Sequence, residues 1–359
     1  MSSSVTQTRV EQSPEQRPPE RSIYSRSLPR WAPLAVLAVA AAVGLLLTGF
    51  RPIASVVVAG LVYLVGIYVL SRVVESPRKA TDRLVTGLVT SAFVVALVPL
   101  VSVIWTVISR GGPVLSASFF SSSMRNVIGE GGGIFHALWG TLIITGLATL
   151  MSVPIGIFTA IYLVEYGKGT LARQITFLVD VMTGIPSIVA GLFAYALFVV
   201  FFGAGVRMGI GGAVALSVLM IPIVVRATEE MLKLVPNELR EASYALGVPK
   251  WRTISKVVLP TALAGIATGI TLSIARVIGE TAPLLIIVGI TDSANFNPFS
   301  GRMATLPVFT FYEYSEPGIP PEFGIERAWG AALVLILIVL LLNLLARLFS
   351  VWFSPSNKA

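Results

Sequence analysis

Residues 236–260 read Pro236-Asn237-Glu238-Leu239-Arg240-Glu241-Ala242-Ser243-Tyr244-Ala245-Leu246-Gly247-Val248-Pro249-Lys250-Trp251-Arg252-Thr253-Ile254-Ser255-Lys256-Val257-Val258-Leu259-Pro260, a polar stretch between two apolar runs. Leu239, Ala242 and Leu246 recur at spacings of three and four, the period of a short amphipathic helix. Gly247 supplies a C-terminal stop and Pro249 prevents continuation. A compact helix held between two apolar spans suits the groove of a cytoplasmic partner and equally a lipid surface. Its own residues leave both open.

Outward from this loop most of the chain is apolar. Of 359 residues 55% are apolar and 12% charged, about half the charged fraction a soluble domain uses to wet its surface. The apolar residues lie in runs, which makes a bilayer the solvent. A helix crosses the hydrocarbon core in roughly 17 to 25 apolar residues, and eight runs are expected to do so: 31–48, 53–71, 84–108, 134–163, 174–202, 210–225, 261–290 and 328–349. The sixth is short and entered through Gly-rich sequence. The fourth, fifth and seventh exceed the minimum, which predicts tilt or kinks, with Pro154 and Pro186 as the kink sites. The fold class is therefore an all-α polytopic membrane protein. Its segments are a disordered polar tail (1–30), a transmembrane hairpin with a basic loop (31–83), a six-span core (84–350) with the loop 229–260 inside it, and a short tail (351–359).

The net charge is +8 and the pI about 9.9. In a soluble protein such an excess would suggest nucleic acid; across eight spans it reads as positive charge holding loops on the cytoplasmic side. Only Arg51, Arg110, Arg125, Arg207, Arg302 and Arg327 fall on the side opposite the termini, with Arg276 inside a span, and the rest of the 26 Lys and Arg lie on the side of the termini. Both termini are thus expected in the cytoplasm of a multi-pass cell-membrane protein, with lipid and no nucleic acid as surroundings. The absence of cysteine excludes disulfides, thiolate metal sites and Cys nucleophiles.

Arg276 and Glu280 are four residues apart within the seventh span, which places them on one helical face. Charge inside a membrane costs about 2.5 to 3.5 kcal/mol on insertion scales, so the pair is either a structural salt bridge or a functional site. Gly265, Gly269 and Ser273 continue the stripe at four-residue intervals, and small residues admit neighbouring helices closely. An Arg on that face, turned into the bundle, has the planar fork that grips an oxyanion; Glu280 would orient it or shorten the anion's stay. Asp180, Thr183 and Ser187, in the fifth span, are weaker candidates for the same path. Asp180 equally suits a bond to a neighbouring helix, and the hydroxyls suit bonds to their own helix. His136, the single histidine, has no companion for a metal site and reads as packing. Gly167-Lys168-Gly169-Thr170 lacks the order of a nucleotide phosphate loop, so the chain is not expected to hydrolyse ATP. Glu313, Glu316, Glu322 and Glu326 read as a solvated outer face or a docking surface.

Glu241, Ala242, Gly247, Leu259 and Pro260 stand at the spacing of the cytoplasmic signature of ABC-importer permeases, which this loop resembles. Ser243 replaces the preferred Ala and Val257 the preferred Ile, without threatening a helix–turn–helix. Ala275-Arg276-Val277-Ile278-Gly279-Glu280-Thr281-Ala282-Pro283-Leu284-Leu285 resembles the matching helix of the phosphate-importer permeases in that family. So do Gly132-Gly133-Ile134 with Gly140-Thr141-Leu142, Gly184 through Phe193, Leu306-Pro307, and Ala328 through Ala332; the likeness covers about residues 85 to 350. The resemblance implies a type I ABC-importer core of six spans after an extra hairpin, with 229–260 as the loop that couples to an ATPase. It implies a non-enzymatic transport subunit moving phosphate inward by alternating access, with Arg276 helping the anion across. Its implied partners are a second homologous permease, a cytoplasmic ATPase dimer that binds ATP and Mg, and an extracytoplasmic phosphate-binding protein; the chain itself would hold no cofactor. A permease for another oxyanion, or the sister phosphate subunit, stands close behind. A stand-alone anion channel or ion-coupled transporter, using Arg276 and Glu280 as a relay, is the reading from another class.

Overall fold

The computed structural model describes residues 27–29, 31–49 and 51–353; the tail expected at 1–30 and that at 351–359 lie largely outside them. Two compact units divide between Val103 and Ile104. In the first, α1 (Ala32–Thr48) and α2 (Pro52–Val74) form the expected hairpin. Gly49 closes α1 in the left-handed conformation, its N–H donating to the Leu45 carbonyl, and Pro52 starts α2 with a preset φ. Gly44 lets the helices touch, since a Cβ there would come 2.6 Å from the Ser55 carbonyl oxygen, and Thr48 Oγ1 and Ser55 Oγ share a hydrogen bond of 2.5 Å. The long α3 (Pro77–Gly111) follows.

Among its described residues the second unit contains helices and the loops that join them, with no strand. After the one-turn α4 (Ala117–Ser121) come α5 (Phe135–Ile161), continued by a π-helical turn at Tyr162–Tyr166, then α6 (Thr170–Thr183), α7 (Ser187–Phe202) and α8 (Gly209–Lys233). The loop helix α9 (Asn237–Ala245) leads to α10 (Lys250–Thr253), a second π turn at Ile254–Val258, and α11 (Leu259–Val277). Short α12 (Ala282–Ile287) and α13 (Leu306–Ser315) precede the long α14 (Pro321–Phe353). The core gathers on α5 and α8 around Ile144, Ala148, Leu216 and Met220, with Ile287 and Met303 beneath. Outside it, large apolar side chains such as Trp105, Phe158, Phe177 and Val200 stand exposed, as lipid contact demands.

Among the described residues six helices are long and apolar enough to cross a membrane, and seven spans result if α6 and α7 count as one. α1, the first of the eight expected spans, has 17 residues, about 26 Å of helix and the lower end of the crossing range, and is not among them. The expected fifth span is not a kinked rod but two helices meeting at 109°. Pro186 has no N–H to give and drives the residue before it away from helical backbone; Gly184 and Ile185 close α6 by donating back to Val181 and Met182. Pro154, by contrast, sits inside α5 without ending it. The expected seventh span also stops early, at Val277, where Glu280 N–H turns back to the Val277 carbonyl.

Candidate functional site

Both breaks open onto one place. The ends of α6 and α7, the middle of α8 and the end of α11 enclose a cavity of about 190 Å³. Thr183 closes α6 on its wall and Ser187 opens α7; Leu219, Pro222 and Ile223 of α8 face them; Arg276 and Glu280 complete it. Four of the five candidates from the seventh and fifth spans therefore converge. Two expectations about them are not met. Arg276 and Glu280 do not share a helical face, because the helix ends between them, and among the described residues no ion pair joins them. Arg276 is exposed on the surface of this chain, so it is not buried within the chain's own bundle. The small-residue stripe does meet a neighbour: Gly265 packs on Met231 and Gly269 on Ala227 of α8, and Arg276 follows where that close contact gives way to the cavity. Thr183 donates its hydroxyl to the Val179 carbonyl at 2.9 Å, the self-satisfied arrangement of a hydroxyl in a span.

Asp180 lies away from this cavity. It pairs with Arg226, whose Nη1 also reaches Glu229 Oε2 at 2.8 Å, and Lys233 Nζ meets Glu229 Oε1 at 2.6 Å. It is thus the inter-helix bond, joining α6 to α8. The apolar wall residues Leu219, Pro222 and Ile223 carry no signature that sequence reading would single out. What the cavity offers chemically is a guanidinium donor, a hydroxyl, and the N-terminal end of a half-helix whose first N–H groups carry partial positive charge. Discontinuous helices that aim such ends at mid-membrane cavities suit anions.

At the end of the bundle that carries the loop, α9 forms as the period predicts. Glu241 and Ala242 are exposed on it, and Leu246 and Trp251 stand 83% and 59% exposed, so the apolar face points away from the bundle. Gly247 takes φ 74°, which a side chain would strain. Leu259 and Pro260 open α11 directly after the π turn at Ile254–Val258. Ser243, the departure from the signature, is buried and shares a 2.8 Å hydrogen bond with buried Thr253, closing the turn between α9 and α10.

At the opposite end Arg327 ties three elements together. Its Nε donates to Glu313 Oε2 at 2.7 Å, and Nη1 donates to the Gly129 and Gly131 carbonyls at 2.8 and 3.2 Å. Glu313 is thus not part of a solvated face; burial pushes its carboxyl up against the pull of Arg327. His136 is buried with its ring edge-on to Phe309, centroids 5.3 Å apart, a packing residue as expected.

Known proteins place this arrangement. Residues 152–358 match the family described as binding-protein-dependent transport system inner membrane component. The phosphate transport system permease protein PstA 1 of Mycobacterium tuberculosis (strain H37Rv) is 50% identical over 272 residues, 75% of this chain and 87% of that protein. PstA of Mycobacterium leprae is 46% identical over 284 residues, 78% and 92% of the two chains, and PstA of Pasteurella multocida 41% over 275, 76% and 95%. Among solved structures, inward-facing MetNI methionine ABC transporter superposes with a TM-score of 0.50 at 20% identity, covering 62% of this chain and 96% of that one; this likeness concerns the fold, that of a type I ABC-importer permease. By the family it matches and by these relatives, the chain belongs to the inner membrane components of binding-protein-dependent transport systems.

Proposed function

We propose that the chain is the transmembrane permease subunit of an ATP-driven inorganic phosphate importer. The observation that carries this reading is the cavity where two broken helices meet α8, with Arg276 at its edge and the α7 N-terminus on its wall. The names of relatives at up to 50% identity supply the substrate class. Arg276 donates a fork that matches phosphate oxygens. Because it is exposed on this chain alone, its facing wall is supplied by a second homologous permease. Glu280, on the same cavity, limits how firmly an anion is held, since a carboxylate repels it. An extracytoplasmic binding protein delivers phosphate to the end that carries Arg327, and both termini lie in the cytoplasm. The exposed face of α9, with Glu241, Ala242 and Gly247 along it and Leu259-Pro260 behind it, docks on an ATPase dimer that binds ATP and Mg; the chain itself is not the enzyme.

The test is uptake of labelled phosphate by cells or vesicles holding all the subunits. Arg276→Gln is expected to lower uptake about 10- to 100-fold, the worth of a hydrogen bond to a charged group, while the complex still co-purifies. Unchanged uptake removes Arg276 from the path. Competition by sulfate and molybdate separates phosphate from other oxyanions, and uptake by the chain expressed alone would favour a channel or ion-coupled carrier.

A further inference from the structure

The cation one position before Glu241 is turned away from the exposed face of α9. Arg240 is 13% exposed at its side chain and its partner Glu165 5%. Arg240 Nε and Nη2 donate to Glu165 Oε1 at 3.1 and 2.9 Å. Nη2 also donates to the Leu232 carbonyl at 2.9 Å, and Nη1 to the Val235 carbonyl at 2.6 Å and Asn237 Oδ1 at 3.3 Å. One guanidinium therefore holds the π turn that ends α5, closes off the carbonyls at the C-terminal end of α8, and anchors the start of α9. From the far side of the loop, Lys250 donates to the Glu165 backbone carbonyl and lies over the Tyr166 ring, 4.8 Å from its centroid. Lys250 starts the helical stretch that continues through the second π turn into α11. Two of the rods that wall the cavity are thus tied to Glu165: α8, which carries Leu219, Pro222 and Ile223, through Arg240, and α11, which carries Arg276, through Lys250.

We propose that Arg240 and Glu165 form the clamp that passes movement of α9 to the cavity, Arg240 being a positioning residue for transport. A buried pair whose guanidinium donates to a carboxylate and to backbone carbonyls at once fixes geometry rather than adding much stability. Long-range transmission needs elements that move as units, and the clamp makes α5, α8, α9 and the foot of α11 one unit at the cytoplasmic end. The proposal rests on the reading that α9 meets an ATPase.

The test has two readouts. In the reconstituted importer, Arg240→Gln and Glu165→Gln are each expected to keep ATP hydrolysis within about twofold of the parent while phosphate moved per ATP falls about tenfold, as for loss of a charged hydrogen bond. Arg240→Lys, which keeps the charge without the fork, falls in between. Because the chain has no cysteine, Lys168→Cys and Ala245→Cys, both at exposed positions, admit spin labels on either side of the clamp in the full-length permease. Their distance distribution is narrow in the parent and broadens in both Gln variants. An unchanged transport-to-ATP ratio overturns the clamp, and so does a distribution as narrow as the parent's, including in any variant that fails to assemble. A parent complex that moves no phosphate counts instead against the importer reading, and the spin-label distances still judge the clamp.

Discussion

Glu75, at the turn between α2 and α3, is 1% exposed at its side chain and surrounded by donors. Arg83 Nε and Nη2 reach it at 2.7 and 3.0 Å, the Ser71 hydroxyl at 2.6 Å and the Leu28 N–H at 2.9 Å. Led by the Arg83 hydrogen bond, these hold its pKa down to about 2 from 4.5, burial acting in the opposite sense. A lowered carboxylate pKa stabilises the fold above the unfolded value and loses that contribution as pH falls through the folded one. Glu75→Gln is therefore expected to melt at a lower temperature than the parent in detergent at pH 7. The gap should narrow as pH falls from about 4.5 toward 2; a gap independent of pH would show that the carboxylate's charge is not what stabilises the turn. At this scale the sequence was partly legible. Arg276 and Glu280 stood out because charge in a span is costly. Glu165 and Arg240 did not, since a charged residue in a loop has many possible partners and the one it takes lies 75 positions away.

Elements in this chain are set by where helices must stop and how closely they approach. Gly140 of α5 shows the second constraint: a Cβ there would collide with the Ala304 carbonyl oxygen, and backbone cannot swing aside as a flexible side chain does. Overpacking of this kind costs about 1 to 3 kcal/mol. Gly140→Ala should lower the midpoint of thermal unfolding in detergent and weaken the packing of residues 303–306 on α5, whereas Gly146→Ala, where the space is open, should not. Equal stability of the two variants would remove the close approach as a requirement. The breaks were less legible than the helices. Pro186 was visible as a kink and proved to be a turn of 109°, because Gly184 and Ile185 join it in closing α6. Pro154 differs in context: it stands exposed, and α5 runs through it, with Gly156 lying against Val224.

For the whole molecule the predictions concern assembly. Leu246 is 83% exposed beside Gly247 at the end of α9, an apolar side chain that the bundle does not cover. If α9 docks on an ATPase, Leu246→Asp should cut co-purification with that subunit at least about tenfold, the effect of a buried apolar anchor replaced by charge, with membrane insertion and melting temperature kept. Full co-purification would instead favour the lipid-surface reading of this helix. Taken alone, the sequence determined that the chain lives in a bilayer, that its long apolar runs are helical, where α9 stops, and which charges inside the spans demand explanation. These follow from hydropathy, periodicity, Gly and Pro, which act over a few neighbouring residues. Only the tertiary structure decided that the ends of α6, α7 and α11 share one cavity with α8, that Arg276 lies at the chain's surface, and that Asp180, Glu165 and Glu313 take the partners they do. Those outcomes depend on how helices far apart in the chain pack, and no local period encodes that choice.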